Sequence, residues 1–487
     1  MKQLDVTLAA RSFVEGRAIR TTLFRHRRLG DEPLMLVLWQ LGAEPFSLAA
    51  ASFGRSPRDQ NFVVAGDPRN RDLAFAALLK MATWFNGHFE APSADREEFE
   101  HWGQILTRSR SAPQIVVANG STIEMLGRLG RRLAYLRTDG PKAAPLELVR
   151  FGRHLLFLSS HARMPGQQIV IALTELVGSN WATGQSPEER LSLAALNAYI
   201  SPSKSHAFYE AMKSERYAIG PVPSGEDDEN LEPLVEAFNQ RRSGDVSAKV
   251  VAPLLKPIED HYRRLVGRTW RLAWDCYERE TKWPEAPSVG RRWDLDREAY
   301  TQHIDWTMGI GRRRTRQTPR QAAILLRRLE EAKATLEAEE ACDDALRMIP
   351  YLLDGKAIQG RVIQLDLNNR ELANTRMVRR PLVVISSPDP CLMPCGKELW
   401  WSVNPDGKSY EVTQVRADED GGSIVTLKLT TSSKSTPMPR VGQEVCFSIH
   451  TTGTVRFFKL PPTEPWTHRP EAPVAEPVAL EDSEIRS

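Results

Sequence analysis

The stretch LMLVLWQL, residues 34–41, is an apolar run without a charged side chain, bounded by Pro33 and Gly42. Short apolar runs that end at proline, glycine or aspartate are typical of β-strands. Two further runs of this kind follow closely, FSLAAASF at 46–53 and NFVVAG at 61–66. The pattern predicts three consecutive strands with short connections.

The segment after these strands, residues 71–89, has the periodicity of a helix. Its apolar side chains Leu73, Ala77, Leu78, Met81 and Phe85 recur at helical spacing. Beyond it, residues 115–118 form a short apolar run that predicts another strand, and a helix is expected directly after it. Together these elements predict a mixed α/β unit over residues 1–140.

The turn ANGSTIE, residues 118–124, opens this second helix. Ser121 and Glu124 match the capping box, in which each side chain satisfies a free N–H of the first turn. Such N–H groups can also bind a phosphate, and Arg128, Arg131 and Arg132 on the same helix could serve an anion or a solvated face. The glycine spacing matches neither dinucleotide nor P-loop patterns. Plain capping is therefore the preferred interpretation.

Residues 146–349 are expected to be mostly helical. The proline- and glycine-rich acidic stretch GPVPSGEDDEN, 220–230, predicts an exposed loop. Residues 254–280 predict one long helix with a buried apolar line. That line consists of Tyr262, Leu265, Val266, Thr269, Trp270, Ala273, Trp274 and Tyr277.

Residues 356–460 change to alternating segments punctuated by Asp, Gly, Asn and Pro. Seven short strands in about a hundred residues predict a small antiparallel β-barrel of the oligonucleotide-binding or SH3-like kind. Trp400 and Trp401 are neighbours in one strand and must face opposite sides. The outward tryptophan fits a domain interface better than a base-stacking site. The tail 461–487 is proline-rich and acidic, which predicts disorder. The fold class is thus α+β multidomain.

Composition narrows the class of protein. The formal net charge is only +3, which excludes a protein that is basic throughout. Of the 65 Lys and Arg residues, 15 are lysine and 50 are arginine; GC-rich coding explains this bias more simply than selection for phosphate contacts. Five widely spaced cysteines indicate a reducing compartment, and neither a membrane span nor a secretory signal is expected. We therefore expect a cytoplasmic protein.

Catalytic and metal signatures are weak. Asp294, Asp296 and Asp305 could hold two metal ions only if the chain doubled back, and acids in the first turn of a helix are the simpler interpretation. His154 and His161 lie about 10 Å apart along one helix, too far for a shared metal. We therefore predict no cofactor and no metal, and the absence of catalytic signatures favours a protein that is not itself an enzyme.

One zinc-like set of ligands also occurs, and it consists of Cys391, Cys395, Cys446 and His450. The last two lie four residues apart in a predicted strand, about 13 Å from each other. They cannot reach one ion unless the strand breaks, so structural zinc is disfavoured.

The most suggestive stretch is MGIGRRRTRQTPRQAAILLRRLEEAKATLEAEEA, residues 308–341. Its arginines Arg312, Arg313, Arg314, Arg316 and Arg320 occur in a segment without acids. A flexible arm of this kind suits sequence-independent phosphate contacts. Further arginines lie opposite the apolar line of the 254–280 helix, and they are Arg263, Arg264, Arg268 and Arg271.

A helix begins after this arm. Thr318, Pro319 and Gln321 predict a capped start, and the helix is expected to run to Ile349, before Pro350. A narrow apolar line on this helix is suited to packing on one partner helix. That line is Leu325, Leu329, Ala332 and Leu336. The charge order, arginine first and glutamate last, opposes the helix dipole. A compensating charge from another segment or a polyanion is therefore expected.

The leading hypothesis is a nucleic-acid-binding accessory subunit of a bacterial DNA- or RNA-processing complex, in genome maintenance or phage defence, that docks a helicase or nuclease. Its predicted contacts to the phosphate backbone are Arg312, Arg313, Arg314, Arg316, Arg320, Arg264, Arg268 and Arg271. One alternative is a protein–protein scaffold whose arginine arm binds an acidic partner. Another is a metal-dependent nuclease built on Asp294, Asp296 and Asp305.

Overall fold

The structure is a computed structural model of the 487-residue chain. It describes residues 3–42, 47–101, 103–186, 191–201, 207–242, 248–310, 318–373, 375–431 and 436–452. Within these ranges lie twelve α-helices, one short 3-10 helix at Ala91–Ala94 and seventeen strands. The predicted tail 461–487 and the predicted seventh barrel strand at 454–460 lie outside the described residues.

The helices are α1 Gln3–Glu15, α2 Arg71–Glu90, α3 Gly120–Leu133, α4 Leu146–His161, α5 Leu173–Asn180, α6 Leu193–Ile200, α7 Ala207–Glu215, α8 Gly225–Arg242, α9 Ala248–Glu280, α10 Val289–Thr307, α11 Pro319–Asp343 and α12 Ala345–Leu353. The strands are β1 Ile19–Arg20, β2 Leu34–Gln40, β3 Leu48–Gly54, β4 Asn61–Val64, β5 Arg96–His101, β6 Gln104–Ser109, β7 Ile115–Val117, β8 Val170–Ala172, β9 Trp181–Ala182, β10 Ala357–Asp366, β11 Arg370–Ala373, β12 Arg376–Arg379, β13 Leu382–Ser387, β14 Glu398–Trp401, β15 Tyr410–Ala417, β16 Ser423–Leu429 and β17 Glu444–Ser448.

The N-terminal half is organised around a five-stranded mixed sheet with the order β4-β3-β2-β7-β8. β3 runs antiparallel to β2 and β4, whereas β2, β7 and β8 are parallel. The predicted strands at 34–41, 46–53, 61–66 and 115–118 are therefore confirmed. β8 comes from the stretch expected to be helical, so that stretch contributes a strand to the N-terminal sheet.

Helices cover both faces of this sheet, which explains why LMLVLWQ is apolar at nearly every position. Alternate residues Leu34, Leu36 and Leu38 share a core with α2, α3, α4 and α10. The intervening residues Met35, Val37 and Trp39 share a second core with α5, α6, α8 and α9. Since a strand presents successive side chains to opposite faces, a strand between two helical layers has to be apolar on both.

The predicted apolar line of the 254–280 helix is confirmed. Its residues are buried along α9 and form much of the second core. Trp270 and Trp274 meet edge to face with their ring centroids 5.8 Å apart. This packing fixes which side of α9 meets the sheet and which side meets solvent.

Three local predictions are corrected by long-range contacts. The cap of α3 is Asn119, whose side chain accepts from the Thr122 N–H at 3.0 Å, and the predicted Ser121–Glu124 capping box is wrong. Asn119 takes this role because its amide also donates to the Gly220 carbonyl at 2.7 Å, which ties the turn to the loop before α8.

The second correction concerns residues 220–230, predicted as an exposed loop. Gly220 and Pro221 are buried, because the Pro221 carbonyl accepts from the backbone N–H of Gln40 at 2.8 Å. From Gly225 onward the stretch is helical, and its acids lie in the first turn of α8, where they complement the helix dipole.

The third correction concerns the helix predicted to run from 318 to 349. Its start is confirmed, since Thr318 and Gln321 form the capping box. Its end is wrong: α11 stops at Asp343, and Asp344 is extended and caps α12 by accepting from the Leu346 N–H at 2.8 Å. Asp344 breaks the helix because its carboxylate also accepts from the backbone of Leu23 and Phe24.

The predicted C-terminal β-barrel is confirmed as a closed antiparallel barrel with the order β10-β13-β16-β15-β14-β17. Trp401 points into its core and Trp400 is half-buried, as alternation along the strand requires. α12 leads into β10, and Tyr351 of α12 meets His450 edge to face at 4.2 Å. A separate two-stranded ribbon, β11-β12, is inserted between β10 and β13.

Candidate nucleic-acid interface

The exposed side of α9 carries a stripe of arginines. Arg264, Arg268 and Arg271 follow each other at steps of four and three residues, so they lie on one face of the helix. All three are exposed, as is Arg263 beside them. The buried apolar line on the opposite side of α9 forces this stripe into solvent. We call Arg264, Arg268 and Arg271 the arginine stripe.

The arginine stripe borders a shallow groove of about 590 Å³, lined by Asp260, Arg263, Arg264, Arg268 and Arg271. The single acid of this lining, Asp260, pairs with Lys256 at 2.7 Å. Arg263 pairs with Glu259. In the described part of the chain, no carboxylate lies within ion-pair distance of Arg264, Arg268 or Arg271. The groove therefore carries a net positive charge that the protein does not neutralise locally.

Two aromatic rings, those of Tyr217 and Phe62, contact arginines of the groove. Neither contact was predicted from the sequence. The Arg268 guanidinium lies 4.3 Å from the centroid of the Tyr217 ring, and Arg216 lies 4.9 Å from the same ring. Arg263 lies 4.4 Å from the Phe62 ring. Cation–π contacts of this kind hold guanidinium groups in place. Nothing in the local sequence signals the pairing, because Tyr217 and Phe62 come from distant segments.

The predicted arm is only partly described. Arg312, Arg313, Arg314 and Arg316 lie outside the described residues, and Arg320 is exposed in the first turn of α11. The reversed charge order of α11 is compensated at its acidic end. Glu339 is buried and pairs with both Arg291 and Arg292 of α10. At the basic end, Arg327 pairs with Glu331 of its own helix at 2.9 Å.

The three carboxylates considered for a two-metal site do not converge. Asp294 pairs with Arg297 at 2.6 Å, Asp305 pairs with Arg96 at 2.5 Å, and Asp296 pairs with His161 at 2.7 Å. They lie on one helix, α10, but face different neighbours. Within the described ranges no three His, Cys, Asp or Glu residues are arranged to hold a metal ion.

Asp296 has a structural role that its position in the sequence does not reveal. Its second oxygen accepts from the Gln168 N–H at 2.8 Å, so it joins α10 to the segment before β8. Burial raises the pKa of Asp296, against the hydrogen bond from His161 and that from Gln168. His161 and Asp296 are 135 residues apart in the sequence, and only the fold makes them a pair.

A second buried cluster joins Glu90, His154 and His303. His154 contacts Glu90 through Nε2 at 2.8 Å and His303 through Nδ1 at 2.9 Å. Burial lowers the pKa of His154, although the neighbouring Glu90 carboxylate favours the charged ring. Burial alone would raise the pKa of Glu90, but His154 and Arg150 lower it. The His154 side chain is completely buried.

The zinc-like set Cys391, Cys395, Cys446 and His450, which the sequence disfavours as a metal site, does not converge on one point either. All five cysteines are free thiols. Cys446 lies in β17, where burial raises the pKa of its thiol to about 11, and His450 packs against Tyr351. Cys395 is exposed. Nothing brings these side chains together around one point.

The first turn of α3 lies at a cavity of about 470 Å³ whose lining includes Gly120, Arg128, Arg131, Arg163 and Glu175. Arg128 pairs with Glu124 one turn earlier on the same helix. The mixture of three arginines with two glutamates gives this cavity less net charge than the groove on α9. Capping by Asn119, two residues before the predicted cap Ser121, accounts for the turn.

Comparison with known proteins leaves this geometry as the only guide to function. No protein-family model matches the chain, and no curated protein or solved structure matches it significantly. Among the described helices, none has both the length and the apolar character that crossing a membrane demands.

Proposed function

We propose that the protein binds the phosphate backbone of a nucleic acid through the arginine stripe of α9. The observation that carries the proposal is the alignment of Arg264, Arg268 and Arg271 on one exposed face without a described carboxylate partner. Like charges three and four residues apart destabilise a helix by about 0.2–0.5 kcal/mol per pair. A bound polyanion removes this repulsion.

The dimensions of the stripe suit a phosphate backbone. From Arg264 to Arg271 the helix axis rises by about 10 Å, at 1.5 Å per residue. One strand of duplex DNA presents a phosphate for each ~3.4 Å of its axis, so about three phosphates lie along that length. Tyr217 and Phe62 hold neighbouring guanidinium groups at the rim of the groove. Arg320 and the arginines within residues 312–316 are further proposed phosphate contacts, on the evidence of the sequence.

A salt titration tests the proposal. Affinity for a fluorescent oligonucleotide is measured between about 50 and 200 mM salt, the range over which phosphate contacts weaken steeply. For the variant with Arg264→Ala, Arg268→Ala and Arg271→Ala, the slope of log K against log salt is expected to fall by about 2.7, since each lost phosphate contact removes ~0.9.

The matched control removes three exposed arginines that pair with carboxylates. Arg11 and Arg17 pair with Glu15, and Arg137 pairs with Asp139. Changing Arg11, Arg17 and Arg137 to alanine alters the net charge equally, and the salt slope is expected to stay within about half a unit of that of the wild type. Equal slopes for the stripe variant and the wild type would refute the proposal.

We further propose that the protein acts as an accessory subunit which docks a protein partner, such as a helicase or nuclease, in genome maintenance or phage defence. The first half of α11 supports a protein partner, because the apolar side chains of Leu325 and Leu326 are 39% and 59% exposed there. The free cysteines support a reducing, cytoplasmic location. The pairing of Asp294, Asp296 and Asp305 with cations gives a nuclease role no support.

A capture experiment from the native host tests the accessory role. If a protein partner stays bound to the wild type after nuclease treatment but does not bind the variant with Leu325→Lys and Leu326→Lys, docking through α11 is supported. If the purified protein binds no oligonucleotide while the partner is retained, the scaffold alternative replaces nucleic-acid binding. If no protein is captured by the wild type under either condition, the accessory role is wrong.

A further inference from the structure

The β11-β12 ribbon is a second surface with unusual chemistry, and it lies on the barrel rather than on α9. It continues the β10-β13 hairpin beyond the last barrel pair, Asp366 with Leu382. Its base is fixed by two hydrogen bonds between Asn369 and Arg380, at 2.9 Å and 2.7 Å. The ribbon is thus a firmly attached projection of the barrel.

The register decides which side chains share a face of the ribbon. Arg370 lies opposite Arg379, and Leu372 lies opposite Met377. Since residues two apart on a strand point the same way, these four side chains lie on one face. Glu371 belongs to the other face and pairs with Lys428 of β16 at 3.2 Å. This ion pair turns the second face toward the barrel and leaves the first face outward.

The outward face combines an apolar pair with a pair of like charges. Leu372 is 70% exposed and Met377 is 58% exposed. Arg370 and Arg379 lie directly opposite each other at the base of this face, an arrangement that destabilises an isolated sheet, and the Arg379 side chain donates to the Leu367 carbonyl at 2.6 Å. In the described part of the chain, no carboxylate lies within ion-pair distance of Arg370. The face is therefore apolar toward its tip and cationic toward its base, and its two exposed apolar side chains call for an external partner.

We propose that this ribbon inserts into the minor groove of duplex DNA. In this arrangement Leu372 and Met377 wedge into a base step while Arg370 and Arg379 contact the phosphates on either side. Two-stranded ribbons enter DNA grooves, and leucine and methionine are among the side chains that unstack base steps from the minor groove. The inference rests on the proposed nucleic-acid binding and specifies its substrate as a double-stranded DNA.

Charge and area favour DNA over a protein partner at this surface. Residues 370–380 contain four arginines and one acid. A stable protein interface buries more than about 1,000 Å², and two apolar side chains between two arginines offer only a small fraction of that area. A wedge into a base step needs no larger apolar surface than these two side chains provide.

The experiment uses the full-length protein and a duplex with 2-aminopurine at a mismatched step, where unstacking costs least. Binding of the wild type is expected to raise the 2-aminopurine fluorescence. With Leu372→Ser and Met377→Ser, that rise is expected to disappear and affinity to fall on the order of tenfold. The salt slope is expected to be unchanged, because the charges remain. Val403→Ser with Val441→Ser is the matched control, since these residues are 75% and 62% exposed on the same domain.

A second variant tests the arginine pair. Arg370→Ala with Arg379→Ala is expected to lower the salt slope by about 1.8, for two phosphate contacts, independently of the arginine stripe. The ribbon proposal is overturned if the wild type binds the duplex without a fluorescence rise, or if the rise persists in the serine variant. It is also overturned if the ribbon variants lose a protein partner while binding DNA normally. If the salt slope falls in the variant of the arginine stripe but not in the variant with Arg370→Ala and Arg379→Ala, binding through α9 is supported and the ribbon proposal is rejected.

Discussion

The carboxylate of Asp344 offers the sharpest test of how this fold is held together. Its side chain is completely buried. One oxygen accepts from the Thr22 hydroxyl at 2.5 Å, from the N–H groups of Leu23 and Phe24 at 2.6 Å and 3.2 Å, and lies 3.3 Å from His26 Nε2. The other oxygen caps α12. Asp344→Asn keeps the shape of the side chain but removes one acceptor and the charge.

The expected loss follows from these contacts. If the asparagine oxygen takes the position that faces Thr22 and Leu23, its NH₂ group meets the Leu346 N–H and the cap is lost, which costs about 1 kcal/mol. Hydrogen bonds to a neutral acceptor are weaker than those to a carboxylate by about 1 kcal/mol each. With about 1 kcal/mol for the cap and about 1 kcal/mol for each of the hydrogen bonds from Thr22, Leu23 and Phe24, a loss of about 4 kcal/mol in the free energy of unfolding is expected at neutral pH.

The pH dependence gives an independent check. Burial acts to raise the pKa of Asp344, but hydrogen bonds with His26, Thr22 and the backbone outweigh it and hold the pKa well below its ordinary value. A carboxylate with a lowered pKa stabilises the fold above its unfolded-state pKa, near 3.9, and this contribution is lost as pH falls toward the folded-state value. The difference between wild type and variant should therefore shrink in acid.

Urea unfolding followed by tryptophan fluorescence measures both effects, and hydrogen exchange at residues 22–26 locates them. Asp354→Asn is the matched control, because Asp354 is about half exposed, also near α12, and pairs with the exposed Lys356. It should change stability by less than about 0.5 kcal/mol. A loss below about 1 kcal/mol for Asp344→Asn, or a difference that does not shrink in acid, would refute the reasoning.

Three further predictions follow from packing and ionisation. Gly152→Ala should destabilise the protein by about 1–3 kcal/mol in urea unfolding, because the added methyl group would meet the backbone of Leu133 and Ala134 across the α3–α4 contact; Gly178→Ala has open space and should be neutral or slightly stabilising. His154 should cause stability to fall as pH decreases below about 6.5, since burial lowers its folded-state pKa and the unfolded chain takes up a proton first; His154→Gln should flatten the stability profile between pH 7 and 5, and an unchanged profile would contradict this. Ellman's reagent should modify one thiol quickly, the exposed Cys395, whereas burial raises the pKa of Cys276 to about 12 and should leave it unreactive until unfolding; rapid modification of Cys395→Ser would disprove the assignment.

The sequence predicted those parts of the fold in which one side-chain pattern has a single physical solution. A short charge-free run such as LMLVLWQ between proline and glycine favours a strand that is buried on both faces, and the periodic apolar line of α9 favours burial of one face with the opposite face in solvent. The exposure of Arg264, Arg268 and Arg271 follows from that line alone. For this reason the candidate arginine stripe could be predicted without the tertiary structure.

Interactions between distant segments could not be predicted from the sequence. Asn119 replaced Ser121 as a cap because Gly220 lies across from it, and α11 ended early because Asp344 binds residues 22–24. The outward face of the β11-β12 ribbon could not be predicted either. Its four side chains share a face only because of the strand register, which local sequence patterns do not reveal.

The division between sequence and tertiary structure has a simple physical origin. The periodicity of apolar side chains predicts which face of a helix or strand is buried. This pattern lies within one segment of the chain, because burial of apolar side chains does not depend on a specific partner. Which partner a carboxylate, histidine or arginine finds depends on segments up to 322 residues apart, as for Asp344 and Thr22. The sequence by itself therefore determined the strands, the long helix and its exposed arginines. Only the tertiary structure decided that Asp294, Asp296 and Asp305 are structural ion pairs, and that Tyr217 lies beside the arginine stripe.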